Sequence, residues 1–223
     1  MSSRPSKRSD SAAPRPSARR QPLADWTGGT PVFIPQGYES AYDYPLLVWV
    51  SDPLAPPLDL GRSMARLSLR NFVAVEAVGG ATAVWRAVDL VRDRLSIHPR
   101  RIWVVGRDAA GTEAFRIACR HPEAFAGVVS LGGGFPVDEP LFARIEGVRR
   151  LSMLLCCTAA AAAESADRTD RMLRLFHAAG ASLAMRIYPR RGDLAAPALA
   201  DVNRWLMDEI CGTTSTARAT VSG

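Results

Sequence analysis

From residue 31 onward the chain alternates two patterns. Short runs of apolar and β-branched residues occur at Pro31–Pro35, Leu46–Val50, Phe72–Val75, Ile102–Val105, Val128–Leu131, Met153–Cys157 and Ala184–Tyr188. Each has the length and composition of a strand. Between most of the later runs lie stretches with helical spacing. Ala83–Leu95 places Ala83, Ala87, Leu90, Val91 and Leu95 near one face and Arg86, Asp89, Arg92 and Asp93 elsewhere. Gly111–Arg120, Asp167–Ala179 and Ala198–Ile210 repeat the pattern. The alanine run Ala159–Ala163 reads as the start of the helix that continues through Asp167. Strands that are apolar throughout and separated by helices indicate a mainly parallel sheet covered on both faces. The fold class is therefore α/β, a three-layer sandwich. In such sheets ligands collect at the carboxyl ends of the strands, so the residues that follow each strand are the functional candidates.

Composition narrows the class further. The 223 residues are 48% hydrophobic and 22% charged, enough to bury a core and unlike a disordered or collagen-like chain. No run of apolar residues is long enough to cross a membrane as a helix. Cys119, Cys156, Cys157 and Cys211 show neither CxxC nor Cys/His ligand spacing, so they read as reduced residues rather than a zinc or disulfide framework. The formal charge of +6 belongs mostly to residues 1–20, which carry +5, whereas the remainder carries only +1. Residues 1–24 are Ser/Pro/Ala/Arg-rich and read as a disordered tail. Residues 25–211 read as one domain and 212–223 as a flexible extension. The basic tail reads foremost as a solubilising extension, and weak contact with nucleic acid or an anionic surface is its alternative role. It lacks the apolar centre of a secretory signal, which points to the cytoplasm.

Three stretches carry a resemblance. Val32-Phe-Ile-Pro-Gln-Gly-Tyr38 with Tyr44-Pro-Leu-Leu-Val-Trp-Val50 resembles the opening strands of α/β-hydrolase esterases of the phospholipase/carboxylesterase and feruloyl-esterase-like groups. Ile97–Gly106 is similar to the approach to their nucleophile elbow, and Ala110–Gly134 to the helix and strand that follow. The likeness runs through residues 31–210 and implies the α/β-hydrolase fold without a large lid domain.

The same resemblance implies a changed site. The elbow reads G-x-S-x-G because a strained strand-to-helix turn must present a serine between small neighbours. Here it is Gly106-Arg107-Asp108-Ala109-Ala110, so Asp108 stands at the nucleophile position. Ala160, in Cys157-Thr-Ala-Ala-Ala161, stands where the acid belongs, and Asp193 where the histidine belongs. The early oxyanion loop is Ser51-Asp52 followed by Pro53, which has no N–H to donate. His98, His121 and His177 read as surface or packing residues. Serine hydrolysis needs an activated hydroxyl, a base and oxyanion donors, and all three elements are altered.

Two further readings follow. In the dehalogenase and epoxide-hydrolase branches of this superfamily an aspartate at the elbow is the nucleophile, which makes Asp108 a candidate reacting group. Alternatively Asp52, Glu76, Asp108 and Asp193 converge at the strand ends, either to hold a hard cation or, as the favoured reading, to pair with Arg107, Arg190 and Arg191. Gly132-Gly-Gly134 precedes no Lys-Ser/Thr and reads as a turn, not a phosphate loop. The leading expectation is a catalytically degenerate esterase homologue serving as a binding or scaffold protein. Its ligand would be a small molecule or a protein held at a crevice formed by Ser51, Asp52, Glu76, Arg107, Asp108, Ala109 and Asp193. No cofactor and no structural metal is implied.

Overall fold

A computed structural model describes residues 23–26, 29–136, 141–189 and 197–212. Of the expected tails 1–24 and 212–223, residues 1–22 and 213–223 lie outside the described residues, whereas Leu23 and Ala24, expected in the disordered tail, belong to a strand. Eight strands form one sheet: β1 (Leu23–Trp26), β2 (Thr30–Phe33), β3 (Tyr44–Ser51), β4 (Val73–Val78), β5 (Ile97–Arg107), β6 (Gly127–Leu131), β7 (Ser152–Thr158) and β8 (Ser182–Tyr188). Their order is β1-β2-β4-β3-β5-β6-β7-β8. β1, β2 and β4 pair antiparallel, and β4, β3 and β5–β8 run parallel.

The side-chain period of two divides every central strand between two cores. On β3, Leu46, Val48 and Val50 face one layer, while Leu47 and Trp49 face the other. The first layer is closed by α2 (Ala81–Arg92), α3 (Ala109–Arg120) and α6 (Ala166–Ala178) through Val84, Val88, Val91, Ala114, Phe115, Ala118 and Phe176. The second is closed by α1 (Leu60–Leu67) and α7 (Pro197–Cys211) through Leu60, Met64, Leu67, Leu199, Val202 and Leu206. These side chains are at most 5% exposed, and each of the valines, leucines, phenylalanines and the methionine stabilises the fold by roughly 1.5–3 kcal/mol on transfer from water. The elements follow one another without an inserted lid domain.

All seven strand positions and four helix positions read from the sequence are occupied. Two details differ. α1 was not expected, although Asp59 caps it by accepting the Arg62 N–H at 2.9 Å. The alanine run forms a separate helix, α5 (Ala159–Glu164), rather than the start of α6. The break falls at Ser165, whose backbone leaves helical geometry and whose hydroxyl donates to the Ala161 carbonyl at 2.7 Å. A short 3-10 turn (Leu141–Arg144) and α4 (Ile145–Val148) complete the chain between β6 and β7.

Candidate functional site at the β5–α3 turn

The chain passes from β5 into α3 through one residue, Asp108, with φ 50° and ψ −124°. It is the only non-glycine residue with positive φ among the described residues. Such a conformation costs on the order of 1–3 kcal/mol and persists only where its surroundings dictate it. Here they do. A Cβ on Gly106 would overlap the Ala110 carbonyl, and one on Gly111 would overlap the Ser130 hydroxyl. A Cβ on Gly133 would lie 2.5 Å from the Asp108 carbonyl oxygen and 2.6 Å from the Thr112 nitrogen. The turn is thus pressed against β6, and the Asp108 N–H donates to the Leu131 carbonyl at 2.9 Å. The Gly111 N–H donates to the Asp108 carbonyl at 3.0 Å and closes the turn. Asp108 itself is exposed and does not cap α3 with its side chain.

Sheet order places this turn at a switch point. From β3 the chain crosses to β4 on one side and from β5 to β6 on the other, so the connections that leave the paired carboxyl ends of β3 and β5 diverge. Two adjoining clefts, of about 360 and 390 Å³, open there and share Trp49, Pro57, Asp59, Arg107 and Asp108. Five of the expected crevice residues, Ser51, Asp52, Arg107, Asp108 and Ala109, line the larger one together. Glu76 lies beneath them, 7% exposed, accepting the Ser51 hydroxyl at 2.6 Å. Asp52 is occupied with its own loop: its carboxylate accepts the Leu54 N–H at 2.8 Å and its carbonyl the Ala55 N–H at 3.0 Å. Asp193, Arg190 and Arg191 lie outside the described residues. Ala160 is an exposed residue of α5 and lines neither cleft.

The expected pairing of these carboxylates with Arg107 is not what the described residues show. Arg107 has no ion-pair partner among them and lines the cleft. Nor, among the described residues, do three His, Cys, Asp or Glu side chains come together in a way that could hold a metal ion.

The chain has three histidines, and each is described. His98 enters β5 ten residues before Asp108, roughly 33 Å away at 3.3 Å per residue. His121 caps the far end of α3, about 18 Å from the turn along a 12-residue helix. It packs edge-on against Trp85 with ring centroids 5.3 Å apart. His177 is an exposed residue in the last turn of α6. None lines either cleft. The buried thiols are equally remote from this chemistry: burial pushes Cys119 and Cys156 up to about 12, which keeps them protonated.

Sequence reasoning missed one wall of the site. Asp59, Arg62, Ser63 and Arg66 from α1 line the 360 Å³ cleft together with Trp49, Leu131 and Leu199. The signal was present: an N-capping Asp59 ahead of apolar positions 60, 64 and 67 is a helix start with an apolar face. Its opposite face supplies Arg62 and Arg66, one turn apart.

No protein-family model matches the chain, and no curated protein matches it in sequence. Solved structures do match in shape. A thermostable esterase superposes with a TM-score of 0.61 at 13% identity, over 80% of this chain and 58% of the esterase. A ferulic acid esterase gives 0.60 at 14% identity, over 81% of this chain and 92% of its own. The S-formylglutathione hydrolase FrmB of Staphylococcus aureus gives 0.57 at 11% identity, over 79% and 91%. This chain thus spans somewhat over half the length of the first and most of the other two. These likenesses in shape, together with the mainly parallel sheet covered by helices on both faces, show that the chain has the α/β-hydrolase fold.

Proposed function

We propose that this protein is a catalytically degenerate member of the esterase-like α/β-hydrolases, one that binds a ligand at the β5–α3 turn without hydrolysing it. The observation that supports this reading is the company of Asp108. The turn keeps its strained backbone and its cleft, but its side chain is a carboxylate and every histidine of the chain is elsewhere. A serine mechanism would need a hydroxyl at this position and an imidazole within hydrogen-bond reach of it. Three buried free thiols accord with a reducing, cytoplasmic setting, in which the basic segment 1–20 would serve as a solubilising extension.

A second reading has one observation in its favour. Asp108 is exposed in a strained turn, as a nucleophile would be, and its carboxylate would form a bond to an ester or alkyl carbon as the bond from that carbon to the alcohol or other leaving group breaks. The resulting acyl or alkyl enzyme would then need a base to activate water, and no histidine lies at the cleft. Hydrolysis of p-nitrophenyl acetate and butyrate by the purified full chain, beside Asp108→Asn and heat-denatured protein, separates the two. The binding reading expects native protein to match the denatured control. Native activity that disappears in Asp108→Asn would overturn it and make the carboxylate the reacting group.

A further inference from the structure

We propose that the 360 Å³ cleft beside Asp108 takes a monoanionic carboxylate with a short apolar body, held head-first by Arg62, Arg66 and Arg107. The inference deepens the binding reading and rests on its location, not on the absence of turnover.

Four observations carry it. Arg62, Arg66 and Arg107 all line the cleft, and among the described residues none has an ion-pair partner, although other arginines of the chain do. Guanidinium groups gathered in one concavity without carboxylate partners are a receptor for an oxyanion, because their planar forks match a carboxylate in bidentate geometry. Charge then selects the head group. Among the described residues that line the cleft, three guanidinium groups stand with two carboxylates, Asp59 and Asp108, an excess of one positive charge. The Asp59 carboxylate is partly occupied by the Arg62 N–H that it caps, and the start of α3 adds partial positive charge beside the turn. One negative charge balances the site, whereas a dianionic phosphate would exceed it and meet Asp108. Size and surface then select the body. Trp49, Leu131 and Leu199 line the same cleft with apolar surface, and the volume is near the lower end of the roughly 300–1,000 Å³ of small-molecule pockets. Finally, Trp49 is 1% exposed and its indole N–H, a donor with no acceptor capacity, has no partner among the described residues.

Calorimetric titration of the full chain with octanoate, octanol and octyl phosphate tests the proposal, repeated with Arg66→Gln and Arg107→Gln. Octanoate is expected to bind at least tenfold more tightly than either of the others, and each arginine variant to weaken octanoate at least fivefold with octanol unchanged. Both substitutions fall on exposed side chains, and an unchanged melting temperature would show that the fold is kept. Octanol binding as tightly as octanoate would overturn the proposal, as would octyl phosphate binding more tightly, or indifference of octanoate to both arginines. The ester assay above is independent of this titration. Turnover of p-nitrophenyl esters would defeat the non-catalytic reading while leaving carboxylate binding to be judged on its own data.

Discussion

A Cβ on Gly111 would occupy the space of the Ser130 hydroxyl, so the first turn of α3 and strand β6 approach as closely as a glycine allows. Ser130 is fully buried, and its hydroxyl has no hydrogen-bond partner among the described residues. A buried hydroxyl in that condition costs about 1–3 kcal/mol. The pair is therefore coupled. Ser130→Ala should be neutral or stabilise the protein by about 1 kcal/mol, and Gly111→Ala should destabilise it by about 2 kcal/mol or more. The double variant should recover part of that loss, since the remaining neighbours of the new methyl group stand at 3.1 and 3.3 Å. Urea unfolding of the four proteins measures the coupling directly, and strict additivity would show that α3 moves away from the sheet instead.

The turn residue itself stores strain that a glycine would release. Asp108 holds φ 50°, and its side chain gives α3 no capping bond in return. Asp108→Gly should raise the unfolding free energy by at most about 1 kcal/mol, because the interaction that Asp108 makes and the entropy of glycine in the unfolded chain both offset the released strain. A melting temperature that falls instead would assign the Asp108 carboxylate a stabilising contact larger than the strain.

A serine placed at the turn should not by itself bring about ester hydrolysis. Asp108→Ser places a serine on a turn of the right backbone shape, yet the three histidines stay at the start of β5, the far end of α3 and the end of α6. Without a base the serine remains a neutral alcohol, so p-nitrophenyl butyrate turnover by this variant should stay at the level of denatured protein. Turnover well above that level would mean that another group in the cleft takes the serine proton.

What could be read from the sequence and what could not divide along a physical line. Strand runs such as Leu46–Val50 and Val128–Leu131 are apolar because both faces of the sheet are covered, so composition alone betrays them. Asp108 was legible because the glycines and alanines around it are dictated by backbone overlap within the turn. The α1 wall was not, because Arg62 and Arg66 reach the cleft only through the packing of α1 on Phe33 and α7, a relationship between distant segments. Likewise the pairing expected for Arg107 assumed that carboxylates at neighbouring strand ends meet. Glu76 is instead enclosed under Ser51, and Asp52 turns back onto its own loop.

The buried hydroxyl of Tyr188 ties β8 to α7, donating to the Asp201 carboxylate at 2.9 Å. Tyr188→Phe keeps the ring and leaves Asp201 partly solvated, so the loss should be about 1–2 kcal/mol, as for a hydrogen bond to a charged acceptor. Asp201→Asn retains an acceptor and should cost less. Equal losses in the two variants would indicate that the charge of Asp201, rather than the bond, holds the strand.

Alkaline pH should destabilise the fold through its thiols. Burial raises the Cys119 and Cys156 thiols from 9.0 to about 12, and it raises Cys157 and the Tyr188 hydroxyl in the same direction. In the unfolded chain these thiols lose their protons near pH 9, while the folded protein holds them until about pH 12. Between those values the native state binds more protons than the unfolded one, so the unfolding free energy falls as pH rises. The stabilisation is complete below about pH 8 and is lost progressively through that window, by on the order of 1 kcal/mol per pH unit for each fully buried thiol. Urea unfolding at about pH 8 and about pH 10.5 should show the decline, and Cys119→Ala, though less stable at the lower pH, should show a shallower one. A thiol reagent at about pH 8 should modify Cys211, which is exposed, quickly and the three buried cysteines only as fast as the protein opens. Rapid modification of Cys119 or Cys156 in the native protein, or an identical pH slope in Cys119→Ala, would show that these side chains are not sealed in the core.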